Sequence, residues 1–457
     1  MKLLNRRLFN EDSYPERVLQ FGTGVLLRGL PDYFIEKANR AGLFGGSIVV
    51  VKSTDTGGVD KFEQQDNLYT IHIKGIEKGS EVQDVLRISA ISRVISAVRN
   101  WAAVLESARN PQLEIVISNT TEVGITLDER EDLFASPPVS FPGKLTAVLF
   151  ERFRTFNGAE DRGLVILPTE LIDKNGAVLQ DIVLTLAERQ QLGADFIKWI
   201  KNCNHFCNTL VDRIVPGSLG PAEQKQAEGQ LGYRDELAIM AEPFCLWAIE
   251  SSDPYVSEVL SFAQVDKGVV IAADIQKFKE LKLRLLNGSH TFACGLAILA
   301  GFGTVKEAMA DPVFSKYVRQ LMHREIIPTL VGIGIGRGEA SEFADRVIDR
   351  FSNPFLQHHW QSISTNYTSK MRMRNLPTIV RHRQQSAMAP TYMALGFAGY
   401  LYFMKATEGG ELFNEWKDDL QECSDFWETT TQYLNRLQAE ETVLGVIDQL
   451  NKKEEIR

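Results

Sequence analysis

Long apolar runs are missing from this chain. No run approaches the roughly eighteen apolar residues that a bilayer-spanning helix needs, and the opening MKLLNRRLFNEDSYPER has no apolar centre of the kind a secretory leader carries. Cysteine is scarce: five residues, at 203, 207, 245, 294 and 423, an odd count in 457 residues that speaks against a disulfide framework. Positive charge is in deficit, with 50 Lys and Arg against 59 Asp and Glu, a net charge of −9. That balance repels a phosphate backbone, and no basic stretch interleaved with aromatics offsets it, so nucleic acid is not an expected partner. Internal repeats and low-complexity segments are absent too. The expectation is a soluble, cytoplasmic protein with no membrane partner. Its length exceeds one hydrophobic core, which predicts two domains. Nothing demands an oligomer, and a monomer with its own two-domain cleft would suffice.

A metal centre is not expected either. Cys203 and Cys207 flank His205, but no second Cys pair follows. Thiols four apart read as small hydrophobes on a helix. His358 and His359 are adjacent, and neighbours on a helix diverge by ~100°; both are taken as structural.

What the chain does contain begins at Val18. The stretch VLQFGTGVLLRGLPDYFIEKANR reads as an apolar strand, a turn at Gly22 and Gly24, then an amphipathic helix. This is the pattern of a dinucleotide-binding βα unit, in which glycines admit a tight turn and close approach of the pyrophosphate. The third glycine is displaced to Gly29, which weakens the fingerprint. Ser47–Lys52 follows as a buried parallel strand with a β-branched centre. Its end offers both Lys52 and Asp55, so the choice between NADP and NAD stays open on chemistry alone. A later strand ends in Ser118-Asn-Thr-Thr-Glu122, where such a sheet meets the nicotinamide. The residues expected to line the nucleotide are Gln20, Phe21, Gly22, Thr23, Gly24, Val25 and Leu26, with Asp55, Asn119 and Thr120.

The second constellation is Lys282-Leu-Arg-Leu-Leu-Asn287-Gly-Ser-His290. In an α-helix at ~100° per residue the amine, amide and imidazole share half of the cylinder, as a metal-free alcohol/ketone oxidoreductase requires. An amine serving as base must be desolvated or set beside other cations, and Lys279 and Arg284 are nearby candidates. The competing reading makes Lys282 one more solvated charge in the run Lys277, Lys279, Lys282, Arg284. Val331-Gly-Ile-Gly-Ile-Gly-Arg-Gly338 is richer in glycine but has no strand before it, so it reads as a connection between helices.

Period divides the chain. Short strands such as Gly163–Leu167 alternate with helical stretches such as Val82–Ala108 up to about Ile271, and from about Ala273 onward nearly everything is helical. This predicts an α/β Rossmann-like N-terminal domain over 1–273 and an all-α C-terminal domain over 274–457. The boundary then sets the Lys282 helix at an interdomain cleft, beside the nicotinamide edge.

Lys282-x4-Asn287-x2-His290 and QFGTGVLLRG, together with QQDNLYT (64–70), NTLVDRIVP (208–216), EPFCLW (242–247), EAMADPVF (307–314) and FSNPF (351–355), resemble the mannitol dehydrogenase family of polyol-specific long-chain dehydrogenases across essentially the whole chain. Within it, Ser118–Glu122, residues 141–163 and PTELIDKNG (168–176) resemble the uronate-reducing branch. The resemblance implies NAD as cofactor and hydride transfer between nicotinamide C4 and a secondary alcohol carbon of a sugar acid, without a metal. It implies that Lys282 is the general base, that Asn287 holds the reacting oxygen and that His290 positions the substrate hydroxyls. Where the mannitol branch has a second oxyanion asparagine this chain has Leu171, with Glu170 and Asn175 as possible substitutes. A carboxylate-bearing substrate calls for a cation, and Lys370 or Arg374 of TSKMRMRNLP is the candidate. Two rivals stay open: a different uronate or neutral polyol as substrate, and a non-catalytic dinucleotide sensor whose helical domain binds a partner.

Overall fold

The computed structural model describes residues 1–9, 13–54, 59–120, 124–406, 408–439 and 442–455. The chain separates into two compact units, Met1–Lys74 with Gln83–Ile275, and Gly75–Val82 with Gln276–Arg457.

The first unit is organised by a six-stranded sheet: β1 (Glu16–Phe21), β2 (Ser47–Lys52), β3 (Ile91–Ser96), β4 (Ile115–Ser118), β5 (Val165–Pro168) and β6 (His205–Phe206). The spatial order is β3-β2-β1-β4-β5-β6, every pair parallel. That is the doubly wound dinucleotide-binding order, with its topological switch between β1 and β4. Ile48 to Val51 are buried on both faces, as helices on either side of a parallel sheet require. The amphipathic stretch after the glycine turn is two helices, Val25–Gly29 and Pro31–Arg40. Leu30, at φ −131° and ψ −73°, makes the break, and Pro31 opens the second helix, where its missing N–H costs nothing.

One sequence expectation fails in this unit. Val82–Ala108 is helical only over Trp101–Ala108; Ser80–Ile88 and Ile91–Ser96 are strands. Val82, Val85, Leu86, Ile88, Ile91, Val94 and Ile95 satisfy a helical spacing, yet most are β-branched. The tight turn at Lys78 (φ 53°) and Gly79 (φ 75°) commits Ser80–Ile88 to a hairpin with Tyr69–Glu77, while Ile91–Ser96 pairs in parallel with β2.

The second unit is helical from Gln276 onward among the described residues. Its centre is a crossing of helices Ser289–Leu299 and Thr391–Phe403, where a Cβ on Gly295 would lie 2.5 Å from the Gly399 carbonyl oxygen. Residues 332–336 do connect two helices, Ile327–Val331 and Arg337–Phe351, so the second glycine-rich run is a turn. Among the described residues three segments are π-helical: Lys282–Gly288, Leu321–Ile326 and Met371–Asn375. Such widened turns are rare and frequent at functional sites. No helix among the described residues is long and apolar enough to cross a membrane.

Candidate functional site

The glycine turn leaves β1 at the switch point. Gly22 has φ +127°, and a Cβ there would sit 2.8 Å from Leu27 Cδ1 and 3.0 Å from the Asn119 carbonyl oxygen. Only glycine fits. Gly24 is the opposite case, exposed, with nothing within 4 Å of a built Cβ, so the backbone is approachable from outside. Gly29 lies against Val215, a Cβ falling 2.7 Å from its Cγ2, so the displaced third glycine serves close packing. Thr23, Val25 and Leu26 are partly exposed around the turn, whereas the side chains of Gln20 and Phe21 are fully buried and offer an outside ligand only backbone.

Behind the turn lies a polar network that sequence reading missed. Gln20 Nε2 donates to the Gly22 carbonyl at 3.4 Å, and Tyr69 Oη donates to the Arg28 carbonyl (2.8 Å) and contacts Asp32 Oδ2 (2.9 Å). Burial raises the Asp32 pKa to about 7, against the opposing pull of Tyr69, Arg28 and Gln20. The sequence signal was thin, an Asp and a Tyr inside otherwise apolar stretches.

At the far side of the switch, Asn119 Nδ2 donates to the Thr169 carbonyl (3.1 Å) and hydroxyl (2.9 Å), and Thr120 donates from N and Oγ1 to Glu170 (2.9 and 3.0 Å). Ser118 also donates to Glu170, at 3.1 Å. Glu170 is thus occupied in shaping this edge. Asn175 donates to the Pro168 and Glu170 carbonyls and accepts from Thr209 N, so its amide is committed as well. Leu171 is 62% exposed, and the two polar residues proposed to stand in for it, Glu170 and Asn175, already hold these bonds. Lys52 is buried and donates to the Thr54 carbonyl at 2.5 Å, while Asp55 lies outside the described residues.

In the helical unit, Lys282 and Asn287 both belong to the π-helical segment Lys282–Gly288, and His290 sits in the α-helix that continues it. The α-helical angles assumed from sequence therefore do not apply: an i→i+5 turn takes more residues. Lys282 and Asn287 are partly exposed; His290 is 7% exposed. Its ring stacks on Phe351 with centroids 3.8 Å apart and meets His358 edge-on at 5.0 Å. Nε2 is buried and lacks a hydrogen-bond partner among the described residues. Burial first, then the charges of His358, Arg350, Arg374 and Lys370, hold its pKa well below the ordinary histidine range. A neutral imidazole with one unused nitrogen is a group waiting for a hydroxyl or carbonyl. His358, set aside from sequence as a helix residue, instead lies outside any helix, just before the bridge of His359 to Thr304 and the helix that opens at Trp360, and its ring completes this wall.

Arg284 is not free to act on Lys282. Its fork is buried and spent on Glu280 and on the carbonyls of Met373 and Arg374. Of the alternating cations, Arg372 faces outward to Glu415 (2.8 Å) and Asp419 (3.3 Å). Lys370 donates to the Ile363 carbonyl at 2.8 Å. Arg374 donates to Thr291 Oγ1 at 3.3 Å and has no carboxylate partner among the described residues. Burial lowers the pKa of both, with Arg374 adding to the effect on Lys370.

The helical reading of the Cys203 to Cys207 stretch fails. The helix ends at Cys203, so the two thiols do not share a helix face, and burial pushes the Cys207 thiol up to about 12. No cluster of three His, Cys, Asp or Glu able to hold a metal occurs among the described residues.

Residues 16–258 match the mannitol dehydrogenase Rossmann domain and residues 274–454 the mannitol dehydrogenase C-terminal domain. The altronate oxidoreductase of Bacillus subtilis (strain 168) is 38% identical over 410 residues, 89% of this chain and 84% of that protein. The altronate oxidoreductase of Escherichia coli O7:K1 is 37% identical over 98% of this chain and 92% of its own, and that of Klebsiella pneumoniae (strain 342) is 40% identical over 90% and 85%. Two solved structures share the fold: substrate-free D-sorbitol dehydrogenase, with TM-score 0.78, 22% identity and coverage of 97% of this chain and 100% of that one, and Pseudomonas fluorescens mannitol 2-dehydrogenase with NAD and D-mannitol, with TM-score 0.69, 23% identity and coverage of 99% and 100%. Matched in both of its domains and across most of its relatives' length, the chain belongs to the mannitol dehydrogenase family.

Proposed function

We propose that this protein is an NAD-dependent altronate oxidoreductase of the cytoplasm, interconverting D-altronate and D-tagaturonate in hexuronate breakdown. The observation that carries the reading is the wall around His290: a neutral, buried imidazole whose Nε2 is unused, on the helix that holds Lys282 and Asn287, beside cations of which Arg374 has no carboxylate of its own among the described residues. A neutral polyol has no need of such a cation; a sugar acid does. Altronate oxidoreductases at 37–40% identity support the same choice.

In this reading residues 1–273 hold the nucleotide and residues 274–457 the chemistry. The open backbone at Gly24, the tight turn at Gly22 and the Asn119–Thr120 edge fit a dinucleotide. NAD, when bound, takes up or gives back the hydride. Lys282 removes the hydroxyl proton during oxidation and returns it during reduction. Asn287 donates to the oxygen on which charge develops, and His290 Nε2 orients a neighbouring hydroxyl. Arg374, with Lys370 beside it, meets the carboxylate.

Initial rates with NADH and tagaturonate, fructuronate or fructose, each repeated with NADPH, test this. Tagaturonate with NADH is expected to give the highest kcat/KM. A preference for fructuronate or fructose moves the protein elsewhere in its family, and no NADH oxidation with any keto acid leaves the dinucleotide-sensor reading.

A further inference from the structure

We propose that Arg284 is a positioning residue that holds the two halves of the site in register, the π-helical segment bearing Lys282 and Asn287 and the π-helical segment bearing Arg374. The roles of those three residues rest on the function proposed above; the clamp itself rests on geometry.

Arg284 is 5% exposed and lies within Lys282–Gly288. Its Nε and Nη2 donate to Glu280 at 3.1 and 3.3 Å, and its Nη1 donates to the carbonyls of Met373 (3.2 Å) and Arg374 (2.6 Å). Those carbonyls belong to the second π-helical segment, Met371–Asn375. A widened turn pulls peptide oxygens out of the regular ladder, and a buried orphan carbonyl needs a donor. One guanidinium reaches two such oxygens from the facing widened turn: that of Met373, four residues before Pro377 and so without an i+4 N–H, and that of Arg374, which also accepts from Thr378 Oγ1 at 3.3 Å. The segments are close: a Cβ on Gly288 would stand 3.2 Å from Asn375 Oδ1 and 3.9 Å from the Arg374 carbonyl.

Glu280 fixes the direction of the fork. It receives Arg381 as well, at 2.5 Å, and although burial pulls its pKa up, the guanidiniums of Arg381 and Arg284 hold it below the usual carboxylate range. The carboxylate stays charged and aims the remaining Arg284 N–H groups at the second segment. The Arg374 backbone is braced from this side while its side chain reaches Thr291, next to His290. Lysine cannot replace this: a point charge satisfies Glu280 or the carbonyls, not both in a fixed plane. A displacement of one segment against the other shifts Lys282 relative to Arg374, and misplacement on the order of 1 Å costs up to ~100-fold in rate.

The test compares Arg284→Lys with Arg372→Gln, a change on the outer side of the same second segment. Steady-state kinetics on tagaturonate and on fructose are read alongside amide hydrogen exchange of residues 282–288 and 371–375. Arg284→Lys is expected to speed exchange in both segments together, to lower kcat on both substrates and to raise KM for tagaturonate alone, with a combined loss in kcat/KM of ~30-fold or more. Arg372→Gln is expected to change neither. Unaltered exchange at 371–375 in Arg284→Lys overturns the proposal, as does a loss of activity that vanishes once rates are divided by the folded fraction. If the wild type ignores tagaturonate, the substrate reading fails by itself and the exchange result still decides the clamp.

Discussion

The His290 imidazole lies against the Phe351 ring with centroids 3.8 Å apart and planes 15° from parallel. Stacked and buried, it is held neutral, and the sign of the consequence follows. Its folded pKa lies well below the unfolded value of 6.5, so between the two the unfolded chain binds the extra proton. Stability from this residue is whole above the unfolded pKa and drains away as the pH falls below it. His290→Gln is therefore expected to flatten the loss of Tm between about pH 7.5 and about pH 5.5. An acid limb of unchanged steepness in the variant refutes the buried-neutral assignment.

Lys282→Ala is expected to lower kcat by ~100-fold or more, the scale of a lost general acid/base. NADH binding, followed by fluorescence titration, is expected to persist, because the proposed nucleotide residues all lie in the first unit. Near wild-type turnover in this variant removes Lys282 from the chemistry.

How far these groups were legible from residues alone differs by element. The sheet was readable at β1, β2, β4 and β5 because buried parallel strands leave short apolar runs, β-branched throughout the centres of β2 and β4, and the glycine turn because two glycines close in sequence have few other uses there. Asn287 and His290 stood out as polar groups in an apolar helix. Arg284 did not: Glu280 and Arg284, four apart, look like any exposed helix pair, and only the fold reveals that both are buried. Val82–Ala108 misled because its spacing satisfied both periods, and the decision fell to a two-residue turn. The π-helical segments have no sequence period of their own. Two of the three stop one residue short of a proline, Pro328 and Pro377, which has no N–H to give an i→i+4 ladder.

The two glycines of the turn separate folding from binding. Gly22→Ala puts a methyl where φ is +127° and where Leu27 and the Asn119 carbonyl already stand, a strain of about 1–3 kcal/mol. It is expected to lower Tm and weaken NADH together. Gly24→Ala meets nothing within 4 Å and its φ is −63°, so Tm should hold while the new methyl intrudes on the nucleotide and raises its Kd. Equal NADH affinity in Gly24→Ala and wild type would place the pyrophosphate elsewhere.

Arg374 gives the sharpest division between sugar acid and polyol. Among the described residues its side chain holds one hydroxyl and no carboxylate, so Arg374→Met leaves no buried anion uncompensated and Tm is expected to stay near that of the wild type. A charge-assisted hydrogen bond is worth about 1.5–3 kcal/mol, which corresponds to ~10–100-fold in KM for tagaturonate. Fructose, lacking the carboxylate, should lose little. Arg374→Lys keeps the charge without the fork and is expected to fall between the two. Equal losses on both substrates would instead assign Arg374 to shaping the pocket, and the carboxylate would then belong to Lys370, whose amine already holds the Ile363 carbonyl and would have to be shared.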